Sequence, residues 1–347
     1  MNPRLIFSSR LAGVALLLCL TQLHAQDDVT LNTAVTAAQT TTARMTVHLE
    51  PGFSVAGANG AFHAQIDYNQ NGISDYNESL TAKTPTYWTG FEASDGFALG
   101  NINGQNGWYG GPDAPQVING DSFEGARSVT FPARNPVNSL KRYFNPVPGS
   151  NIVFLDFAAR PSASTTPDFS TTFDTGATYV SFVNSSGSGQ VKVWNGDGSG
   201  GGSWVSVGSP FALTSSQSTN WIRFTLRIDY TAKKWDFFMN GQLVAYDLGF
   251  TSNGYTSLPS LTIWGSTSGA TTFDFPFLSA INPLFVDNDQ DGMDDNWETA
   301  HGANPTNPND RNTVSGVQTY IAAFLAAGVG ASGTGHDLSL EVFTPLP

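Results

Sequence analysis

Residues 221–246 read WIRFTLRIDYTAKKWDFFMNGQLVAY, and this stretch decides the fold. Ile222, Phe224, Leu226, Ile228 and Tyr230 alternate with Arg223, Thr225, Arg227 and Asp229, the period of a strand with one face on a core and the other in water. A helix of the same residues would scatter the polar ones over its whole surface. After the turn residues Thr231 to Lys233, KWDFFM meets QLVAY through Asn240 and Gly241. Asn-Gly between two apolar runs supplies the two positive-φ positions of a type I′ hairpin. The stretch is therefore expected to form a three-stranded antiparallel meander.

Short apolar runs continue on both sides: SVTF (128–131), LKRYF (140–144), NIVFLDFAA (151–159), ATYVSFV (177–183), GQVKVW (189–194), SWVSV (203–207), SLTIWG (260–265) and TTFDFPFLSAI (271–281). No helical pattern interrupts them, which excludes a doubly wound α/β architecture. The expected class is mostly β: a two-sheet antiparallel jelly-roll sandwich over residues 86–282, with a small N-terminal β module and a short helical calcium-loop tail.

The chain has 347 residues, 15 Lys and Arg against 28 Asp and Glu, and a formal net charge of −13. No basic run could neutralise phosphates, so nucleic acid is excluded as a partner. Residues 1–25 read as a signal peptide: Arg4 and Arg10 give a positive start, Leu11 to Leu20 is apolar but too short to span a bilayer, and Ala25 is the small residue a signal peptidase requires. The mature chain then begins near Gln26, is secreted or held at the cell surface, and carries no transmembrane span. The single cysteine, Cys19, lies inside the apolar run. Without disulfides, small modules need another source of rigidity, and calcium is available outside a cell.

Residues 26–66 form the small β module. Met45, Val47 and Leu49 alternate with polar residues, Pro51-Gly52 marks a turn, and AFHAQI alternates again, so two short antiparallel strands are expected. Residues 67–85 hold an acidic loop and a linker. Residues 283–326 carry a second acidic loop and a helix, with Val317, Ile321, Phe324 and Leu325 on one stripe. Residues 327–347 are a Gly/Ser-containing tail.

Both acidic loops match the twelve-residue calcium template position by position. In DNDQDGMDDNWE the ligand positions fall on Asp287, Asp289, Asp291, the Met293 carbonyl, Asp295 and Glu298, with Gly292 at the sharp turn. In DYNQNGISDYNE they fall on Asp67, Asn69, Asn71, the Ile73 carbonyl, Asp75 and Glu78, with Gly72 at the turn. Alternating hard oxygen donors closed by a bidentate glutamate suit Ca2+, which takes six to eight ligands, better than Mg2+. Such loops are EF-hand-like.

Three resemblances add to this. The phrase TVHLEPGFSVAGANGAFHAQI (46–66) resembles the strand-turn-strand unit of small stacked β modules in secreted bacterial proteins. The Gly90-Phe91-Glu92 opening, the Trp/Arg strand with its Asp-Tyr turn and Trp-Asp-Phe-x-x-Asn-Gly hairpin, and the late SLTIWGSTSG resemble the concanavalin A-like, laminin-G-like jelly-roll domains of secreted bacterial proteins. That resemblance implies a two-sheet sandwich whose relatives bind glycans or proteins, while others hydrolyse glucans. DNDQDGMDDNWETAHGANPTNPND (287–310) resembles thrombospondin type 3-like calcium repeats of bacterial surface proteins. A second loop follows there; here Arg311, Thr313, Ser315 and Ala322 stand where carboxylates would be.

Chemistry beyond metal binding finds little support. The only glutamates between 86 and 282 are Glu92 and Glu124, in no glucanase pattern, and the strand carboxylates Asp156 and Asp236 read as solvated. Trp108, Tyr109, Trp221, Trp235 and Trp264 could stack a sugar or simply fill the sandwich. The leading expectation is a secreted, calcium-binding, non-catalytic module that recognises extracellular or cell-surface glycan. The alternatives are a structural surface or matrix protein that meets only proteins and, third, a glycoside hydrolase. Mass spectrometry of the exported protein should give an N-terminus near Gln26; an intact Met1 would refute the signal-peptide reading.

Overall fold

The computed structural model describes residues 87–110, 115–144, 150–165 and 176–328, together with short strands between 28 and 66. The chain divides into two compact units, the second of which spans 84–334.

In the first unit the strand Asp28–Leu31 pairs in parallel with Thr46–Leu49, Ala34–Val35 with Ser54–Val55, and Gln39–Ala43 with Phe62–Ile66. Two successive turns of three short strands are thus stacked in parallel. The antiparallel pair expected from 46–49 and 62–66 is not formed, because alternation specifies a strand and leaves its partner open. Each of these strands is paired instead with one that lies earlier in the chain.

The second unit is predominantly β, and all the strands read from the pattern are present. Its largest sheet has nine strands: Gln242–Gly249, Lys234–Met239, Ile222–Asp229, Ile152–Arg160, Thr271–Ser279, Arg127–Phe131, Gln116–Asn119 and Gly100–Asn101 in spatial order, with Tyr87–Trp88 paired to Thr271–Ser279. The meander is as expected. Met239 faces Gln242 across a two-residue hairpin, and Asn240 and Gly241 both have positive φ, 49° and 77°.

Two smaller sheets cover this one, which departs from a simple two-sheet sandwich. A four-stranded sheet (Val180–Ser185, Ser188–Gly196, Gly202–Thr214, Gln217–Ser218) places Val191, Val193 and Val207 in one core with Leu155, Phe224, Leu226, Trp235 and Phe237. A three-stranded sheet (Ser260–Trp264, Ser139–Tyr143, Trp108–Gly110) places Trp108 and Leu140 in a second core with Phe91, Val129, Phe131 and Phe273. Neighbouring strands twist by about 20–25°, so a sheet of nine turns too far for one small flat cover.

The other face of the large sheet is not in water. Arg223, Thr225 and Arg227, the polar half of the alternation, are buried, as are Asp156, Asp236 and Phe238. The segment 282–328 covers them. Arg223 donates to Asp156 through Nε (3.0 Å) and Nη2 (2.8 Å), and Nη2 also reaches the Pro283 carbonyl at 3.2 Å. Thr225 Oγ1 donates to Asp156 at 2.7 Å. Phe238 meets Phe285, Phe285 meets Phe324, and Phe324 meets Trp297, with ring centroids 6.0, 5.8 and 5.2 Å apart. Trp297 is thus the packing anchor of the tail.

Two helices complete the cover. Asp294 caps Asp295–His301 by accepting from the amides of Asn296 and Trp297, and Gly302 closes it with φ 82°. Tyr320–Ala327 is capped by Thr319 and buries Ile321 and Phe324. Val317 lies before that helix and is 99% exposed, so the apolar stripe is shorter than its spacing suggests.

Asp156→Ala would leave the Arg223 charge buried and unpaired, and should cost about 3–5 kcal/mol. Chemical denaturation checks this: the midpoint should fall with little change in slope.

Candidate metal centre

The acidic loop 287–298 is seated on the face just described. Gly292 adopts φ 93°, and a Cβ there would lie 3.0 Å from Arg227 Cδ and 3.1 Å from Asp236 Oδ2. Only glycine satisfies both the turn and the close approach. Asx-type bonds shape the rest: Asp289 Oδ1 accepts from the Asp291 amide (3.2 Å), Asp291 Oδ1 from the Met293 amide (2.9 Å), and Asp287 Oδ2 from the Gly292 amide (3.1 Å) and from Asn282 Nδ2 (3.0 Å).

These bonds use one oxygen of each aspartate. Asp287 Oδ1, Asp289 Oδ2, Asp291 Oδ2, both oxygens of Glu298 and Asp310 Oδ1 are buried and meet no hydrogen-bond donor among the described residues. They gather in two overlapping groups. Asp287, Asp289 and Asp291 each offer an oxygen within 4.8 Å of the others, and so do Asp291, Glu298 and Asp310. Burial pushes Asp287 up to about 7, Asp291 up to about 8 and Glu298 up to about 9, with the neighbouring carboxylates adding to each rise. Asp289 is also raised, chiefly by burial.

The remaining template positions behave differently. Asp295 is raised by burial, but its Oδ1 accepts from the Asn288 amide at 3.0 Å and its Oδ2 from Asn288 Nδ2. Its carboxylate is therefore turned toward Asn288. The Met293 side chain is fully buried. Asp67, Asn69, Asn71, Ile73, Asp75 and Glu78 lie outside the described residues.

Two participants escape a template of twelve consecutive residues. Asp310 closes the Asn-Pro stretch 304–310; its Oδ2 accepts from the Asn304 amide at 2.8 Å, which leaves Oδ1 facing the cluster. Arg311, read as a lost ligand, donates to both oxygens of Asp236 (2.9 and 3.0 Å) and to the Asp291 carbonyl. Arg227 donates to Asp236 at 3.1 Å and to the Gln290 carbonyl. Burial would raise Asp236, but Arg311 and Arg227 outweigh it and hold this carboxyl below its ordinary value. Asp156 and Asp236 are thus members of buried ion pairs, where the strand pattern suggested solvated carboxylates.

The stacking candidates also separate. Trp108 and Trp235 are core residues, and Trp221 lies 6.1 Å from the Phe123 ring. Trp264 is half-buried and Tyr109 is exposed, both on the three-stranded sheet.

No protein-family model matches this chain, and no curated protein does. Among solved structures, an endo-β-1,4-glucuronan lyase from the fungus Trichoderma reesei aligns over 56% of this chain and 95% of its own at 13% identity, with a TM-score of 0.35. Domain 4 of an extracellular arabinanase from Geobacillus stearothermophilus, in complex with arabinotriose, aligns over 56% and 91% at 12% identity, TM-score 0.33. A botulinum neurotoxin serotype C1 binding domain aligns over 53% and 48% at 10% identity, TM-score 0.31. Likenesses this slight carry no functional argument, which rests on the chain's own geometry. No helix among the described residues is long and apolar enough to cross a membrane.

The raised carboxyls fix the sign of a pH effect. Asp287, Asp291 and Glu298 bind protons more tightly in the fold than in the unfolded chain, where carboxyls titrate near about 4. With chelator present, stability should therefore fall as pH rises from about 4 to about 9. Melting in chelator at about pH 5.5 and 8.5 checks the direction: the lower pH should give the higher midpoint. A divalent cation seated among these oxygens would reverse the order, because the donors must be deprotonated to bind it.

Proposed function

We propose that residues 287–310 hold a divalent cation, calcium by the chemistry of its donors, and that this ion stiffens the C-terminal cover of an exported, non-catalytic β-sandwich that binds extracellular glycan. The observation that carries the reading is the convergence of buried carboxylate oxygens without donors from Asp287, Asp289, Asp291, Glu298 and Asp310. Unpaired buried carboxylates are strongly unfavourable, and a hard cation with room for six to eight oxygens relieves several at once. Asp295 and the Met293 carbonyl complete the template set, the former at a position that often acts through water. Magnesium, with its strict six-fold geometry and retained waters, suits so many protein oxygens poorly.

The loop 67–78 belongs to the same proposal as a second, weaker calcium site. It offers three carboxylates, Asp67, Asp75 and Glu78, beside the neutral Asn69 and Asn71. The non-catalytic reading is supported by the two carboxylates singled out in the sequence, Asp156, held by the buried Arg223, and Asp236, held by the buried Arg227 and Arg311. Export follows from the signal-like residues 1–25. Protein partners are the alternative to glycan, and the same calcium-stiffened module would serve them.

Calorimetric titration of the mature protein with calcium tests the metal reading. Two heat components are expected; Glu298→Gln and Asp310→Asn should each remove the tighter one and Glu78→Gln the weaker. Calcium at about 100 times Kd should add about 2.7 kcal/mol to the stability of the region that binds it. Isotherms unchanged by all three substitutions would overturn the proposal.

A further inference from the structure

The register of the three-stranded sheet sorts its side chains. Lys141 lies opposite both Tyr109 and Thr262, Tyr143 opposite Ser260, and Ser139 opposite Trp264, so all seven share one face. Trp108 and Leu140 take the opposite face and enter the core. On the outward face Tyr109 is 55% exposed and Tyr143 57%, with ring centroids 5.9 Å apart in an edge-on arrangement. Lys141 Nζ stands 4.7 Å over the Tyr143 ring.

This face combines exposed ring surfaces with hydroxyls and one ammonium group, and it bears no carboxylate although the chain carries a net charge of −13. Aromatic rings flanked by a few polar groups suit the apolar face and rim hydroxyls of a sugar. Charge decides between sugar classes. An acidic polymer would be repelled by the protein's overall field, and a lone lysine already placed over a tyrosine does not make a basic track. A protein partner would call for a larger and drier apolar patch than one interleaved with Ser139, Ser260 and Thr262.

We propose that this face binds a neutral polysaccharide. Tyr109 and Tyr143 receive the sugar rings, Trp264 borders them, and Ser139, Lys141, Ser260 and Thr262 hydrogen-bond to the sugar hydroxyls. The inference rests on the glycan reading above and gives it a place and a ligand class.

Affinity electrophoresis of the mature protein with calcium present tests it, in gels containing a neutral β-glucan, a neutral galactomannan or polygalacturonate. At least one neutral polymer should retard the wild type, and Tyr109→Ala/Tyr143→Ala should weaken that retardation about tenfold or more. Leu99→Ala, an exposed apolar residue off this sheet, serves as the control and should leave it unchanged. Full retardation of the double variant would overturn this face while sparing the glycan reading. Retardation by polygalacturonate alone would overturn the neutral class. Self-association of the wild type that the double variant abolishes would reassign the face to contact between copies. Failure of every polymer to retard the wild type would overturn this inference and the glycan reading together, leaving the calcium reading to its own titration.

Discussion

The Asp236 carboxylate, fully buried and held between Arg227 and Arg311, is the interaction on which the rest of the second unit depends. A buried charge is tolerable only when its partners satisfy its lone pairs, and here two guanidinium groups and the Asp247 amide do so. Both arginines then extend past Asp236 to backbone carbonyls of the acidic loop, at Gln290 and Asp291. One strand residue thereby locks the position of a loop about fifty residues further along the chain. Gly292 completes the joint, since any side chain there would press on Arg227 and on Asp236 itself.

The same joint sets the electrostatics of the acidic cluster. Arg227 favours the charged form of Asp287, and Arg311 that of Asp291, yet burial and the crowding of like charges prevail and both carboxyls are raised. The arginines therefore hold the loop in shape while leaving its carboxylates undercompensated. That combination is what a cation site requires: a scaffold fixed in advance and negative charge still in excess.

Local period and turn chemistry made the strands readable. The meander, its Asn-Gly hairpin and the flanking runs needed only neighbours in sequence. What covers a strand is a long-range matter: Arg223, Thr225 and Arg227 look solvent-facing in isolation, and only Asp156, Pro283 and Gln290, far away in sequence, show that they are not. Pairing direction in the first unit was hidden for the same reason. Most of the acidic cluster was legible because four of its five carboxylates, Asp287, Asp289, Asp291 and Glu298, fall within twelve consecutive residues. Asp310 was not, because it reaches the cluster through turns at Asn304–Asp310 that no ligand spacing encodes. Arg311 looked like a defect in a second metal loop, whereas its place in the fold is a clamp.

The division of the chain at residue 282, natural from composition, separates parts that physics joins. If the tail were lifted, Phe238 would lose Phe285, Asp236 would lose Arg311, and Arg223 would lose the Pro283 carbonyl, each a loss at a buried position. Residues 282–328 are therefore the outer layer of the large sheet, with their own aromatic core of Phe285, Trp297 and Phe324. A cation at 287–310 would act within that layer. It would draw together the loop, the helix Asp295–His301 through Glu298 and the Asn-Pro segment through Asp310, which otherwise present mutually repelling carboxylates to one another. Hydrophobic burial and the arginine clamps can hold the cover on the sheet, while a bound ion would govern how rigidly its acidic half is held, so the two contributions are physically separable.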